Sequence, residues 1–248
     1  MTRLPPSPRP DWAYFLDLDG TLLEFRDAGR AVRADGRLRA LIAGLHRATG
    51  GAVAVISGRA IADIDRLLGK AGLRLPVAGQ HGTERRDAGG RLTRHAFPAR
   101  RLDWAQARLA EAIAGRPGLW LEHKGLSLAL HYRRAPRLAG YIHRLVRSLE
   151  PRLGPKFGIQ AGKRVVEVKP AGRDKGAAVA AFMREAPFRG RTPVFVGDDL
   201  TDEFGFATVN RLAGHSIKVG PGPTSATWRL RDVAAARAWL ESLGRARR

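Results

Sequence analysis

The chain has 248 residues, 44% of them hydrophobic, enough to bury a sizeable core and too apolar for a disordered polymer. It contains no cysteine, which excludes disulfides, thiolate metal sites and a thiol nucleophile. Lys and Arg number 44 against 23 Asp and Glu, a formal charge of +21 that raises nucleic acid as a partner. The basic residues are nevertheless spread through every segment, apart from a short Arg-Ala-Arg-Arg tail, and no nucleic-acid motif accompanies them. An Arg-rich composition explains the same count, and a positive field also suits an anionic phosphate ester, so no specific nucleic acid is expected.

Residues Met1 to Pro10 are Pro-rich and lack an apolar stretch of signal-peptide length. No run approaches the ~18 apolar residues of a membrane span. These features predict a cytoplasmic protein without membrane contact; a monomer is the default expectation, as the sequence leaves the oligomeric state open. The first buried strand is expected at Ala13 to Leu18, and it runs into Asp17-Leu18-Asp19-Gly20-Thr21. Acids at i and i+2 point the same way from an extended chain, so both reach one site. One carboxylate can attack phosphorus while the other handles the proton of the leaving oxygen. Gly20 permits a sharp turn whose N–H groups can meet phosphate oxygens.

A helical pattern follows from Arg37 to Arg47, then a strand from Ala52 to Ile56 and a helix from Ala60 to Leu68. Between the last two stands Ser57-Gly58-Arg59, where the Ser57 hydroxyl could donate to a phosphate oxygen or simply cap the helix. Next comes a region of different character. A hairpin is predicted around Asp87-Ala88-Gly89-Gly90, a helix from Leu102 to Ala114, and extended segments at Leu119 to Glu122 and Ser127 to His131. A second helix runs from about Arg137 to Leu149, and Val165 to Val168 is strand-like again. This order suggests a small α+β module inserted into the first domain, dividing the chain into 1–84, 85–166 and 167–248.

After the insert, Lys175 opens a helix that extends to Glu185, and a strand spans Pro193 to Val196. A lysine at a helix start, where acids are the usual preference, has a reason to be there if it faces a phosphate; the alternative is a solvated surface residue. Gly197-Asp198-Asp199-Leu200-Thr201-Asp202-Glu203 closes the last strand. Four acids in six residues would repel one another without a cation, and hard oxygen ligands in that number point to Mg2+. Acids decorating a helix N-terminus are the alternative. Strand and helix alternate with polar motifs at the strand C-termini, which argues an α/β fold with a parallel sheet.

In order, Asp17-x-Asp19-Gly20-Thr21, Ser57, Lys175 and Gly197-Asp198-Asp199 resemble the four motifs of the haloacid dehalogenase superfamily, and the insert resembles its C2-type cap. Further residues are similar to the bacterial trehalose-6-phosphate phosphatase family: Gly79-Gln80-His81-Gly82, Glu122-His123-Lys124, Ala129 to Arg133 and Val166 to Pro170. The resemblance spans about Asp11 to Leu240. It implies a Rossmann-like core with an inserted α+β cap, and a Mg2+-dependent hydrolysis of trehalose 6-phosphate through an aspartyl-phosphate, in trehalose biosynthesis. On that footing Asp17 is the nucleophile, Asp19 the acid and base, and Ser57 and Lys175 the phosphoryl-holding groups. The metal is held by Asp17, Asp19 through its carbonyl, and Asp198, with Asp199 and Asp202 in support. Gly58, Arg59, His81, Glu122, Lys124, Arg133 and Glu167 read the substrate. Two other readings stay open at this level: a phosphatase for another sugar phosphate, such as a sucrose or mannosylglycerate ester, and a basic nucleic-acid-binding protein on a phosphatase fold.

Overall fold

All five residues of strand β1 (Trp12–Leu16) are buried, which places it inside a sheet covered on both faces. The computed structural model describes residues 3–24, 34–69, 75–96, 98–162 and 164–245. The chain divides into two units, one drawn from 1–93 and 174–248, the other from 94–173. In the larger unit β1 is followed by helix α1 (Gly36–Ala48), which Asp35 caps by accepting the Leu38 N–H. Its Leu38, Leu41, Ile42 and Leu45 recur at helical spacing and are buried. Strand β2 (Val53–Ile56), helix α2 (Ile61–Leu68) and strand β3 (Val77–Gly79) come next.

The hairpin expected around Asp87 to Gly90 forms, between β4 (Glu84–Arg86) and β5 (Leu92–Arg94). It belongs to the core: β4 pairs antiparallel with β3 and prolongs its sheet. The smaller unit therefore starts at 94, not at 85. It holds helix α3 (Ala99–Ile113), strands β6 (Trp120–His123) and β7 (Leu128–His131), helices α4 (Ala139–Ser148) and α5 (Glu150–Leu153), and strands β8 (Phe157–Gly162) and β9 (Val165–Pro170). Strand β8 was not expected, because Gly158 and Gly162 dilute the apolar pattern that marks a strand. Pairing of β9 with both β7 and β8 carries this unit to residue 173, past the expected boundary at 166.

The antiparallel sheet of the smaller unit has the order β6-β7-β9-β8. Side chains alternate across it. Leu128, Leu130, Val166 and Val168 pack with Leu102, Leu109, Ile142 and Val146 into one apolar cluster beneath the helices. The other face carries Glu122, Ala129, His131, Glu167 and Gln160.

The chain then returns to the larger unit with helix α6 (Lys175–Phe182), strand β10 (Thr192–Gly197), helix α7 (Glu203–Arg211), strands β11 (His215–Val219) and β12 (Trp228–Leu230), and helix α8 (Val233–Arg245). Its sheet has the order β12-β11-β10-β1-β2-β3-β4-β5, parallel from β12 through β3. Alternate residues of β1 feed separate cores: Tyr14 and Leu16 on one face, Ala13 and Phe15 on the other. Strand order reverses between β1 and β10, and open α/β sheets bind ligands at the carboxyl ends of strands flanking such a reversal. Among the described residues no helix is long and apolar enough to cross a membrane.

Candidate active site

Asp17 follows β1 directly and Asp198 follows β10, so the strand-order reversal itself brings the first and last motifs together. Asp17 is 4% exposed. Its Oδ1 accepts from Lys175 Nζ at 2.7 Å and its Oδ2 from Thr21 Oγ1 at 3.1 Å. The same Thr21 hydroxyl lies 3.2 Å from Asp198 Oδ1, joining the two acids across the sheet. Lys175 reaches them because Asp174 caps α6, accepting the Ala177 N–H, and sets Lys175 as its first residue. A solvated surface role for Lys175 is excluded, since it is 3% exposed and also donates to Asp202 Oδ1 at 2.6 Å.

The acidic loop is built from its own side chains. Asp199 accepts from the N–H and hydroxyl of Thr201 at 2.7 and 2.6 Å. Asp202 Oδ2 accepts the N–H groups of Asp198 and Asp199 at 2.9 and 3.0 Å, closing a capping box. Asp202, fully buried, thus supports both the loop and Lys175. The alternative reading of these acids as helix-start decoration is accurate for Asp199 but leaves Asp198 unexplained.

Electrostatics follow from this crowding. Burial, opposed by Lys175 and reinforced by Asp198 and Asp199, pushes the Asp17 carboxyl up to about 7. Burial together with Asp202 and Asp199 raises Asp198 to about 7. Burial likewise raises Asp202, to about 8, against the pull of Lys175. For Asp199 burial is outweighed by the Lys175 charge and the Thr201 hydrogen bonds, which hold it below the usual carboxylate range. Burial would strip Lys175 of its proton, but Asp17 and Asp202 outweigh it and hold the ammonium well above its ordinary value.

Asp17, Asp198 and Asp202 can each offer a carboxylate oxygen, all within 4.8 Å of one another. Such hard donors, too crowded to ionise together near neutrality, fit a hard dication such as Mg2+. Asp202 fits least, because its oxygens already accept two backbone N–H groups and an ammonium. Asp19, assigned to the metal through its carbonyl, keeps its carboxylate elsewhere: Arg59 holds both oxygens in a fork at 2.6 and 2.7 Å.

Ser57 directly follows β2 and is 1% exposed. It does not cap α2. Ala60 occupies the cap position without a side-chain bond, and Glu84 of β4 accepts the Ile61 N–H at 2.6 Å instead. Ser57 Oγ accepts the Arg59 N–H at 3.2 Å, which leaves its hydrogen to donate. The segment after β3 clamps this loop: the Gln80 N–H donates to the Arg59 carbonyl and the His81 N–H to that of Ser57, at 2.9 and 3.0 Å. Both residues hold left-handed backbone, φ 47° and 56°. A Cβ on Gly58 would meet the His81 ring at 2.8 Å, so glycine is required for that approach.

In the smaller unit Glu122, Ala129, Glu167 and Gln160 stand opposite one another across four strands. Glu122 lies 2.9 Å from His131 Nε2. Burial raises its carboxyl, but His131 and Lys124 outweigh this and hold it low. Ser127 donates to Glu167 at 2.7 Å, and Lys124 pairs with Glu167 at 3.5 Å rather than with Glu122. Arg133 lies beyond the end of β7, exposed. Sequence reasoning assigned no role to Thr21, although it is part of the first motif, and overlooked Lys218. The signal for Lys218 was a charge inside the apolar strand pattern of β11.

The trehalose-phosphatase family model matches residues 15–234. The trehalose-6-phosphate phosphatase of Escherichia coli (strain K12) is 46% identical over 233 residues, covering 94% of this chain and 86% of its own. A probable trehalose-phosphate phosphatase of Sinorhizobium fredii is 42% identical over 228 residues, covering 92% and 84%. Among solved structures, the C-terminal domain of the C. albicans trehalose-6-phosphate phosphatase superposes with a TM-score of 0.82 at 22% identity, covering 96% of this chain and 92% of that one. A haloacid dehalogenase-like hydrolase from B. subtilis gives 0.65 at 15%, covering 94% and 100%. At these identities the structures establish the fold, while the family match and the closer sequences establish membership. The chain belongs to the trehalose-phosphatase family, on the haloacid dehalogenase fold.

Proposed function

We propose that this protein hydrolyses trehalose 6-phosphate to trehalose and phosphate, a step of trehalose biosynthesis, with Mg2+ and through an aspartyl-phosphate on Asp17. The observation that carries the mechanism is the buried Asp17 carboxylate, held from both sides by Lys175 and Thr21 and adjoining Asp198. The family match and the 46% identity with the Escherichia coli enzyme support the substrate.

A carboxylate oxygen of Asp17 forms a bond to phosphorus as the bond from phosphorus to the sugar oxygen breaks. Asp19 gives its proton to that departing oxygen. In the second half Asp19 takes a proton from water, whose oxygen bonds to phosphorus and frees Asp17. Both acts require Asp19 to exchange its Arg59 fork for the reacting group. Lys175 and the Ser57 hydroxyl stabilise the phosphoryl oxygens as charge moves through transfer. Mg2+, bound by the Asp17 and Asp198 carboxylates and the Asp19 carbonyl, would neutralise phosphoryl charge and let the crowded acids ionise. Asp199 and Asp202 fix the loop and orient Lys175.

The sugar hydroxyls are read by Glu122, Lys124 and Glu167, with Arg133, His81, Gly58 and Arg59 contributing around the ester. The cap's polar sheet face supports this, because hydroxyls need fixed acceptors and donors rather than apolar cover. The test is phosphate release from trehalose 6-phosphate, with and without Mg2+, beside sucrose 6-phosphate and glucose 6-phosphate. Metal-dependent release from the first far above the others is expected. Preference for another ester would keep the core chemistry and overturn the reading of the cap.

A further inference from the structure

Lys218 is 5% exposed and lies on β11, directly opposite Gly197 of β10. Its ammonium donates to the main-chain carbonyl of Asp198. A buried ammonium is costly unless its surroundings compensate for lost water, so its place in a strand calls for an explanation. Neighbouring Ile217 and Val219 pack in an apolar core, whereas Lys218 and Ser216 point to the opposite face.

The surroundings of Asp198 supply that explanation. Its N–H is held by Asp202, its side chain touches Thr21, and its carbonyl is held by Lys218. Two of these anchors come from the acidic loop itself and from the loop after β1. Among the described residues, Lys218 alone ties the Asp198 main chain to the strand on its far side. The main chain is thus held on both sides of the Asp198 Cα, at its N–H and at its carbonyl.

We infer that Lys218 is a positioning residue for the divalent-cation site, fixing the Asp198 backbone so that its carboxylate is presented to the metal. This rests on the reading of Asp198 as a metal ligand. Two physical effects of removing Lys218 have opposite signs, which makes the inference testable. A cation beside an anionic site repels a second cation, so charge alone predicts tighter Mg2+ binding once Lys218 is neutralised. Loss of the anchor predicts weaker binding, as with other groups that orient metal ligands.

The experiment is calorimetric titration of Mg2+ into wild type, Lys218→Met, Lys218→Arg and Asp198→Asn, with thermal melts verifying each fold. Lys218→Met is expected to weaken Mg2+ binding about tenfold or more. Lys218→Arg, which keeps charge and donor, is expected to remain within about threefold of wild type. The Mg2+ concentration for half-maximal turnover should shift by the same factor in Lys218→Met, with KM for the ester unmoved. Binding by Lys218→Met equal to or tighter than wild type, or by Lys218→Arg as weak as by Lys218→Met, overturns the inference. Wild-type Mg2+ affinity in Asp198→Asn instead overturns the metal-ligand reading on which it rests. Should Lys218→Met not fold, Lys218→Gln takes its place with the same expected weakening and the same overturning result.

Discussion

The acidic site of the core and the polar face of the cap sheet both present carboxylates, yet they hold them in opposite ways. Asp17, Asp198 and Asp202 are crowded, mostly buried and pushed toward protonation, with Lys175 and Lys218 as the opposing charges. Glu122 and Glu167 stand on a sheet beside His131 and beside Ser127 and Lys124 respectively, and Glu122 is held below its ordinary value. The first arrangement stores electrostatic tension that a bound dication would relieve. The second keeps ready-made acceptors on a rigid frame. Chemistry on phosphorus needs the former, because stabilising shifting charge is most of the work. Recognising an uncharged sugar needs the latter.

Breaking the tense site should have the largest consequences. Asp17→Asn removes the nucleophile while preserving shape, and phosphate release should fall roughly 10^4-fold or more with the circular dichroism spectrum unchanged. Appreciable residual turnover would refute the nucleophile assignment. Asp202→Ala deprives Lys175 of a carboxylate and two backbone N–H groups of their acceptor. Denaturant unfolding should register a loss of about 3–5 kcal/mol, as for other broken buried ion pairs. A change under 1 kcal/mol would mean the pair is not part of what holds the loop.

On the cap, Glu122→Ala should lower kcat/KM for the disaccharide ester about 10- to 100-fold, the range of a lost hydrogen bond to a charged group. Hydrolysis of a small aryl phosphate should be spared, and equal losses on both would make Glu122 structural. The mildest effect concerns pH. Three core acids have folded-state values raised from 3.8 to about 7, 7 and 8, so between those limits the folded metal-free protein binds more protons than the unfolded chain. Their contribution is therefore fully present at low pH and lost progressively as pH rises toward 8. His46, His95 and His215, lowered by burial, add a slope of opposite sign near neutrality. The diagnostic is thus the difference between wild type and Asp198→Asn. Wild type should lose about a few degrees of melting temperature relative to the variant from pH 5 to 8 without metal, and Mg2+ should remove the difference. Parallel melting curves would contradict the raised values.

Much of this molecule was readable in advance, for identifiable reasons. Asp17, Asp19, Ser57, Lys175 and Asp198 sit where continuous apolar strands meet polar residues or where a helix opens, and the parallel topology gathers such ends automatically. The Asp19–Arg59 fork was not readable, because it joins motifs 40 residues apart through side-chain reach alone. Nor was the capping of α2 by Glu84, which depends on the hairpin adding to the core sheet. That same hairpin displaced the expected domain boundary, since its turn residues mark a hairpin without saying which sheet it joins. Lys218 remained hidden because a single charge within an apolar run suggests an edge or an interruption, not an anchor.

Ala129 is fully buried on β7, an inner strand of the cap sheet. It lies between Glu122 and Glu167 in one row of the cap sheet, a methyl group flanked by two acids. Two strand spacings set the backbones of those residues about 9–10 Å apart. If Glu122 and Glu167 read the sugar as proposed, the row would work as a ruler. On the proposed reading of the cap, a guest would be selected by whether its hydroxyls fall at both marks, by dimensions rather than by charge. Added salt would screen the attraction of the phosphate and loosen binding of every ester. It would leave the ranking among sugars in place, because the marks on a sheet do not move with ionic strength.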